Sequence, residues 1–392
     1  MKPAYRRTMT ACFLGYIVQA IVNNFAPLLF VMFQQDYGIP LSKITLLIAL
    51  NFLIQLCIDL LSTFFVDCIG YRASVLLAHG LAATGMILLA FLPDLMPDPF
   101  VGLLISVLIY AVGGGLIEVV ISPMVEACPT ENKEKTMSFL HSFYCWGHVG
   151  VVLLSSLYFL LFGIGRWQIL TLIWATVPIF NFFLLLRAPV YTLGEGENVG
   201  KSNRAFLKTG LFWLFFLMMM CAGAAEQAVS QWASTFAEKG LGVGKTVGDL
   251  AGPMSFAFMM GLSRLLYGKC GERLKMRRAM GYSAALCVLS YLLIAFAPHP
   301  VLGLIGCALC GFSVGILWPG LYSVAAASSL SGGGTALFAL LALAGDLGCT
   351  SGPGLAGMVA SATGGNLHMG IFAAVIFPFL FLLGLFLARR KN

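Results

Sequence analysis

Tyr191–Lys208 reads YTLGEGENVGKSNRAFLK, a run rich in glycine and charge in a chain that is otherwise almost continuously apolar. Working outward from it, six apolar runs precede it at about 9–33, 43–66, 72–92, 100–127, 136–163 and 167–187. Six more follow at about 207–236, 247–267, 277–297, 300–328, 334–361 and 368–388. Each is long enough for a helix to cross a hydrocarbon core roughly 30 Å thick. The 392 residues are 59% hydrophobic and only 10% charged, whereas a soluble domain carries about 25% charged residues. The spacing therefore predicts an all-α membrane protein of twelve transmembrane helices in two six-helix bundles, 1–190 and 207–392, joined by a cytoplasmic linker at 191–206.

The net charge of +7 is spread in short clusters between the apolar runs and forms no continuous patch, so nucleic-acid binding is not expected. Lys and Arg instead report orientation. Of the 23, only Lys43, Arg166, Lys239 and Lys245 fall on one side, and the other nineteen, Arg264 at the end of span 8 included, fall on the opposite side. Basic loops stay in the cytoplasm. Both termini are thus expected there, in a multi-pass protein of the cell (inner or plasma) membrane. The N-terminal apolar run is too long for a signal-peptide core and reads as a retained first span. The eleven cysteines lie mostly inside apolar runs without paired spacing, which points to neither disulfides nor zinc.

The halves match each other without gaps at an offset of 201 residues: Gly70 with Gly271, Arg72 with Arg273, Pro99 with Pro300, Gly102 with Gly303, Gly114 with Gly315, and Gly147 with Gly348. The shared register argues for a parallel duplication, as in transporters whose halves rock around a site near the midplane. One matched pair of loops joins spans 2 and 3 (Asp67-Cys68-Ile69-Gly70-Tyr71-Arg72) and spans 8 and 9 (Gly268-Lys269-Cys270-Gly271-Glu272-Arg273). A glycine for the turn, with charges able to pair with neighbouring helix ends, makes Asp67, Gly70, Arg72, Gly271 and Arg273 candidates for a cytoplasmic gate.

An ionisable group at the centre of a membrane helix costs roughly 2.5 to 3.5 kcal/mol on insertion scales, so each is a functional candidate. They are Asp59 in span 2, Glu118 and Glu126 in span 4, His141 and His148 in span 5, Glu226 in span 7 and Asp346 in span 11. Glu118 lies nine residues before the expected end of span 4 at 127, about 13 Å at 1.5 Å per residue. At that depth a carboxyl is suited to taking and releasing a proton, and a hydrogen-bonded structural carboxyl is the alternative. Asp346, beside Gly348, Gly352, Pro353, Gly354 and Gly357, is the second proton candidate.

Candidate solute contacts are the polar residues among these spans. Glu226 with Gln227 and Gln231 forms a patch on span 7, and the two glutamines, four apart, share a face suited to hydroxyl groups. Gln19 and Asn23 pair in the same way on span 1, beside Asn24, and Asn51, Gln55 and Asp59 form a stripe on span 2 that either packs helices or meets a ligand. His141 and His148, seven apart, share a face but lack a third ligand for a metal. Trp146 and Trp318 are able to stack on a sugar face or to serve as packing.

The D-x-x-G-x-R loop after span 2 and the two-half, twelve-span layout resemble the major facilitator superfamily. Within it, Gly113-Gly114-Gly115-Leu116-Ile117-Glu118, then Ser122-Pro123 and Ser138-Phe139-Leu140-His141-Ser142-Phe143, resemble the fucose:proton symporter branch, as do Asn23-Asn24 in span 1 and Trp318-Pro319 in span 10. The resemblance implies the major facilitator fold and a role for Glu118 in proton coupling and sugar recognition. The chain departs from that branch where Phe25, Ala26 and Pro27 follow the Asn pair and no aspartate stands in span 1.

The expected activity is secondary active transport of a small sugar or polyol-like solute by alternating access, as proton-coupled symport, by a monomer without cofactor. Proton-coupled efflux of drugs or other amphiphiles is the alternative. Against it stand the missing arginine in span 4 and a span 5 with Gly147 and Gly150 but no proline. An enzyme is not expected, because no nucleophile–base pair or metal triad is present. Direct drive by ATP is not expected either, since Ser331-Gly332-Gly333-Gly334-Thr335 lacks the lysine of a phosphate-binding loop.

Overall fold

In a computed structural model, the described residues are 5–129, 133–190, 207–270, 276–326, 328 and 334–389. They are helical almost throughout, and the chain divides into two compact units, Met1–Glu197 and Asn198–Asn392.

In the first unit, α1 (Tyr5–Asn24) gives way to a 3₁₀ turn at Ala26–Leu29 and resumes as α2 (Phe30–Asp36). Pro27 lies in that turn, where its missing N–H interrupts the α-helical ladder without ending the span. The unit continues with α3 (Leu41–Ile69), α4 (Tyr71–Leu95), α5 (Pro99–Ala127), α6 (Lys133–Phe162) and α7 (Trp167–Arg187). Asp98 caps α5 by accepting from the Phe100 amide at 3.0 Å, with Pro99 in the first turn, as expected for a helix start.

The second unit opens with α8 (Gly210–Thr235), closed by a π turn at Phe236–Gly240. α9 (Lys245–Asp249) and α10 (Ser255–Cys270) are joined by a second π turn, Leu250–Met254, that contains Pro253. There follow α11 (Met276–Ala295), α12 (Pro300–Val314), α13 (Leu317–Ala326), α14 (Gly334–Ala362), α15 (Leu367–Ala374) and α16 (Ile376–Arg389).

Among the described residues, ten helical stretches are long and apolar enough to cross a membrane. The other two expected spans are the α9–α10 run, wound through its π turn, and α14, whose middle carries Asp346, Thr350, Ser351 and Pro353. The result is an all-α membrane protein with the six-plus-six helical plan. Large apolar side chains such as Leu160, Leu161, Phe180, Phe183, Leu289, Phe296 and Phe386 are exposed, as befits surfaces solvated by lipid rather than water.

Gly147 and Gly348, which match at the 201-residue offset, do corresponding packing work. A Cβ on Gly147 of α6 would lie 2.9 Å from Ala20 Cβ and 3.2 Å from Ile17 Cα on α1. A Cβ on Gly348 of α14 would lie 1.9 Å from the Met220 carbonyl oxygen of α8. Gly352 meets the Ala224 carbonyl at 2.3 Å, and Gly223 meets that of Gly345 at 2.2 Å, measured in the same way. Without a hydrophobic drive in lipid, helices associate by such close approach.

Candidate functional site

Three successive glycines set the geometry of the first unit. A Cβ at Gly113 would lie 2.6 Å from the Ala82 amide of α4, one at Gly114 3.0 Å from Val22 of α1, and one at Gly115 3.0 Å from Gln55 Cα of α3. One turn of α5 therefore touches three helices at once, and Glu118 follows immediately. Its Oε2 accepts a hydrogen bond from Gln19 Nε2 at 2.5 Å. Glu118 is half-buried while Gln19 is buried, so the carboxylate is both held and reachable.

Around this pair the polar stripes of α1 and α3 meet. Asn23 Oδ1 accepts from Gln55 Nε2 at 2.8 Å and from Asn51 Nδ2 at 3.3 Å. Asn24 Nδ2 donates to the Ala20 carbonyl at 2.9 Å and to the Tyr144 hydroxyl of α6 at 3.2 Å. The Tyr16 and Ser122 hydroxyls are 2.9 Å apart, and the Tyr16 ring stands edge-on to His141 at 5.2 Å. Gln19, Asn23, Asn24, Glu118 and His141 thus converge on α1. Farther along the stripe, the Asp59 backbone carbonyl accepts from the Ser62 hydroxyl at 2.7 Å.

Other candidates stand apart. His141 is exposed and His148 is 2% exposed, so sharing a helical face does not give them a shared environment. No group of three metal-ligating side chains occurs among the described residues. Trp146 is exposed. Trp318 of α13 packs against α14, its ring carbons filling the place a Cβ would take on Gly345, beside the half-buried Asp346.

In the second unit the patch on α8 is buried. Gln231 Nε2 donates to Gln227 Oε1 at 3.2 Å, and Gln227 Nε2 lies 3.5 Å from Glu226 Oε1. Sequence reasoning missed the partner of Glu226. Arg264 does not serve only as a basic group at a helix end: its Nη2 reaches Glu226 Oε2 at 3.5 Å, and its Nε donates to the Gly315 carbonyl at 3.3 Å. An arginine within the otherwise uncharged run 255–268 of α10 was the available signal. Also missed was a cluster at the far end of α8, where Lys245 lies 2.9 Å from both Glu238 and the fully buried Asp249, and Ser234 donates to Asp249 at 2.5 Å. The four-residue spacing of Lys245 and Asp249 was its signal.

At the loop between α3 and α4, Gly70 has φ +81°, which glycine adopts without strain. Arg72 donates to the Leu186 carbonyl at 2.8 Å and the Ala188 carbonyl at 2.9 Å, capping the C-terminal end of α7. The Asp67 side chain, Gly271 and Arg273 lie outside the described residues.

Known proteins resemble this chain in sequence profile and in fold. A family profile described as Major Facilitator Superfamily matches residues 11–341. No curated protein sequence matches the chain. Among solved structures, a bacterial homologue of the human lysosomal transporter Spinster, inward-facing and unoccupied, superposes with a TM-score of 0.79 at 16% identity, covering 100% of this chain and 98% of its own. Its occupied form gives 0.77 at 15% identity with the same coverage. A variant of the E. coli fucose:proton symporter gives 0.65 at 16% identity, covering 99% of each chain.

Proposed function

The chain belongs to the Major Facilitator Superfamily, and we propose that it moves a small hydroxyl-rich solute together with protons, with Glu118 as the proton carrier. Membership makes it a membrane-embedded secondary transporter of small molecules. The observation that carries the finer reading is the bond from Gln19 to Glu118 inside a cluster of neutral hydrogen-bonding groups. Carboxylates at membrane depth are costly unless paired, and they mark ion pathways. A neutral amide partner lets the carboxyl exist in both protonation states, because its oxygen accepts from the protonated acid as its N–H donates to the carboxylate. Gln227 and Gln231 supply the donors and acceptors that hydroxyl groups require. The likeness to the fucose:proton symporter is in accord with this chemistry.

In this reading Asp346 is a second proton site and Arg72 steadies the cytoplasmic gate. The protein works as a monomer in the plasma membrane with both termini in the cytoplasm. The test is proton movement into proteoliposomes on adding sugars, polyols and sugar acids one at a time, followed with a trapped pH dye. At least one solute is expected to acidify the lumen in the parent protein and not in Glu118→Gln. If no solute moves protons, or if the variant matches the parent, proton coupling through Glu118 is wrong.

A further inference from the structure

We propose that His368 is a pH-sensitive clamp that ties the end of α8 to the ends of α11 and α15, complete when its ring is an imidazolium and short of one bond when it is neutral. The inference goes beyond the transport reading and holds whichever solute is moved. Both ring nitrogens of His368 face backbone carbonyl oxygens: Nδ1 lies 3.1 Å from that of Ala295 and Nε2 3.1 Å from that of Gly240. A carbonyl only accepts, and a neutral imidazole carries one N–H where the imidazolium carries two. The neutral ring therefore satisfies one carbonyl and turns a lone pair on the other. Ala295 is the last residue of α11, and Gly240 is the last of the π turn that closes α8. Carbonyls at such ends lack an intrahelical donor and sit at the negative end of the helix dipole. Two of these ends meet the ring, against the one positive end of α15, whose first turn holds His368. Phe236 stands edge-on to the ring at 4.9 Å between centroids, a separation at which an aromatic side chain is able to attract a cation. The ring is half-buried, sheltered enough for its bonds to matter and open enough to exchange a proton.

The first unit ties the corresponding helix ends without a histidine. There Asp94, in the last turn of α4, accepts from the Tyr37 hydroxyl just after α2 at 2.6 Å and from Gln168 Nε2 of α7 at 3.2 Å. At the repeat offset of 201 residues, Asp94 corresponds to Ala295 and Trp167 to His368. The same three-way junction is thus built twice, once around a carboxylate and once around an imidazole. Histidine is the side chain whose charge ordinarily changes between about pH 5 and 8, so the second junction, and not the first, is built to switch. Other charged or titratable groups stand near it. The π turn carries Glu238 and Lys239, and Glu238 is joined to Lys245 of α9 at 2.9 Å. In α11, Tyr291 lies one turn before Ala295 and donates to the Ala225 carbonyl at 2.7 Å, and His299 follows α11 as the cap of α12. The last two turns of α8 carry no charged side chain, and α14 meets Gly370 of α15 through Ala356 and Ala360.

The test is hydrogen–deuterium exchange of the full-length protein in detergent at about pH 5.5 and about pH 8, either side of the ordinary histidine range, with rates corrected for the intrinsic pH dependence of amide exchange. The amides of Leu241 and Val243, which donate to Phe236 and Ala237, report on the π turn, and that of Phe296, which donates to Leu292, reports on the end of α11. At one or both of these places exchange is expected to be about tenfold slower at the lower pH, the worth of one bond to a charged donor. The last turn of α4 around Asp94 is expected to keep the same corrected rate at both. In His368→Gln, whose amide does not titrate, the difference is expected to vanish. The comparison within the parent protein stands even where that variant fails to fold. Equal corrected rates at both reporters in the parent, or a matching change around Asp94, would overturn the clamp. So would a pH difference that survives in His368→Gln, which would assign it to Glu238 or His299.

Discussion

At the scale of single residues, depth and neighbours decide what each polar side chain is able to do. Glu118 was legible in the sequence because a carboxylate in the middle of an apolar run has few bland explanations. Its partner Gln19 was legible only as half of a stripe, since periodicity gives a face but not what that face meets. The meeting of Asn23 with Gln55 and Asn51 explains how these amides sit in lipid-embedded helices: the Asn23 oxygen accepts from both. Replacing Asn23 with alanine is expected to lower the stability of the protein by about 0.6–1.7 kcal/mol, the range found for bonds between membrane helices, and Asn51→Ala by less because its bond is longer. Unfolding midpoints in mixed micelles check the order. Arg264 escaped the sequence reading because depth was counted along the backbone, whereas a long arginine side chain carries its charge away from its own Cα.

At the scale of elements, close glycine contacts decide which helices pair. Gly348 faces a backbone carbonyl of α8 that cannot move aside, while Gly147 faces a Cβ and a Cα of α1 across a wider gap. Gly348→Val is therefore expected to abolish a monodisperse protein in gel filtration, and Gly147→Ala to lower the melting midpoint by only a few degrees, the cost of mild overpacking. Equal behaviour of the two would contradict this packing. The repeat in the sequence showed that these glycines correspond, but only the structure shows that both serve the approach of matched helices. Arg72 acts at the same scale. Removing its two bonds to the end of α7 in Arg72→Ala is expected to cost about 1 kcal/mol, and exchange of the amide hydrogens in the last turn of α7 is expected to accelerate. The breaks in the helices were less legible. Pro27 and Pro253 mark two of them, and Pro319, whose missing N–H leaves the Gly315 carbonyl without its helical donor, marks the division of span 10 into α12 and α13.

At the scale of the whole molecule, the number and length of the apolar runs made the fold readable, because a bilayer leaves a chain few ways to satisfy its backbone. The distribution of lysine and arginine predicts cytoplasmic termini, so a fluorescent protein that matures only in the cytoplasm is expected to glow when fused after Asn392. A dark fusion would reverse the orientation. Solute chemistry is less legible than fold, since it depends on a few side chains that converge from distant parts of the chain. The central claim, that solute movement is coupled to a proton on Glu118, is tested most directly by comparing exchange with accumulation in Glu118→Gln proteoliposomes. The account predicts that the variant still exchanges labelled for unlabelled solute across the membrane but no longer accumulates solute when an inward proton gradient is imposed. Accumulation at the parent level in that variant would contradict it.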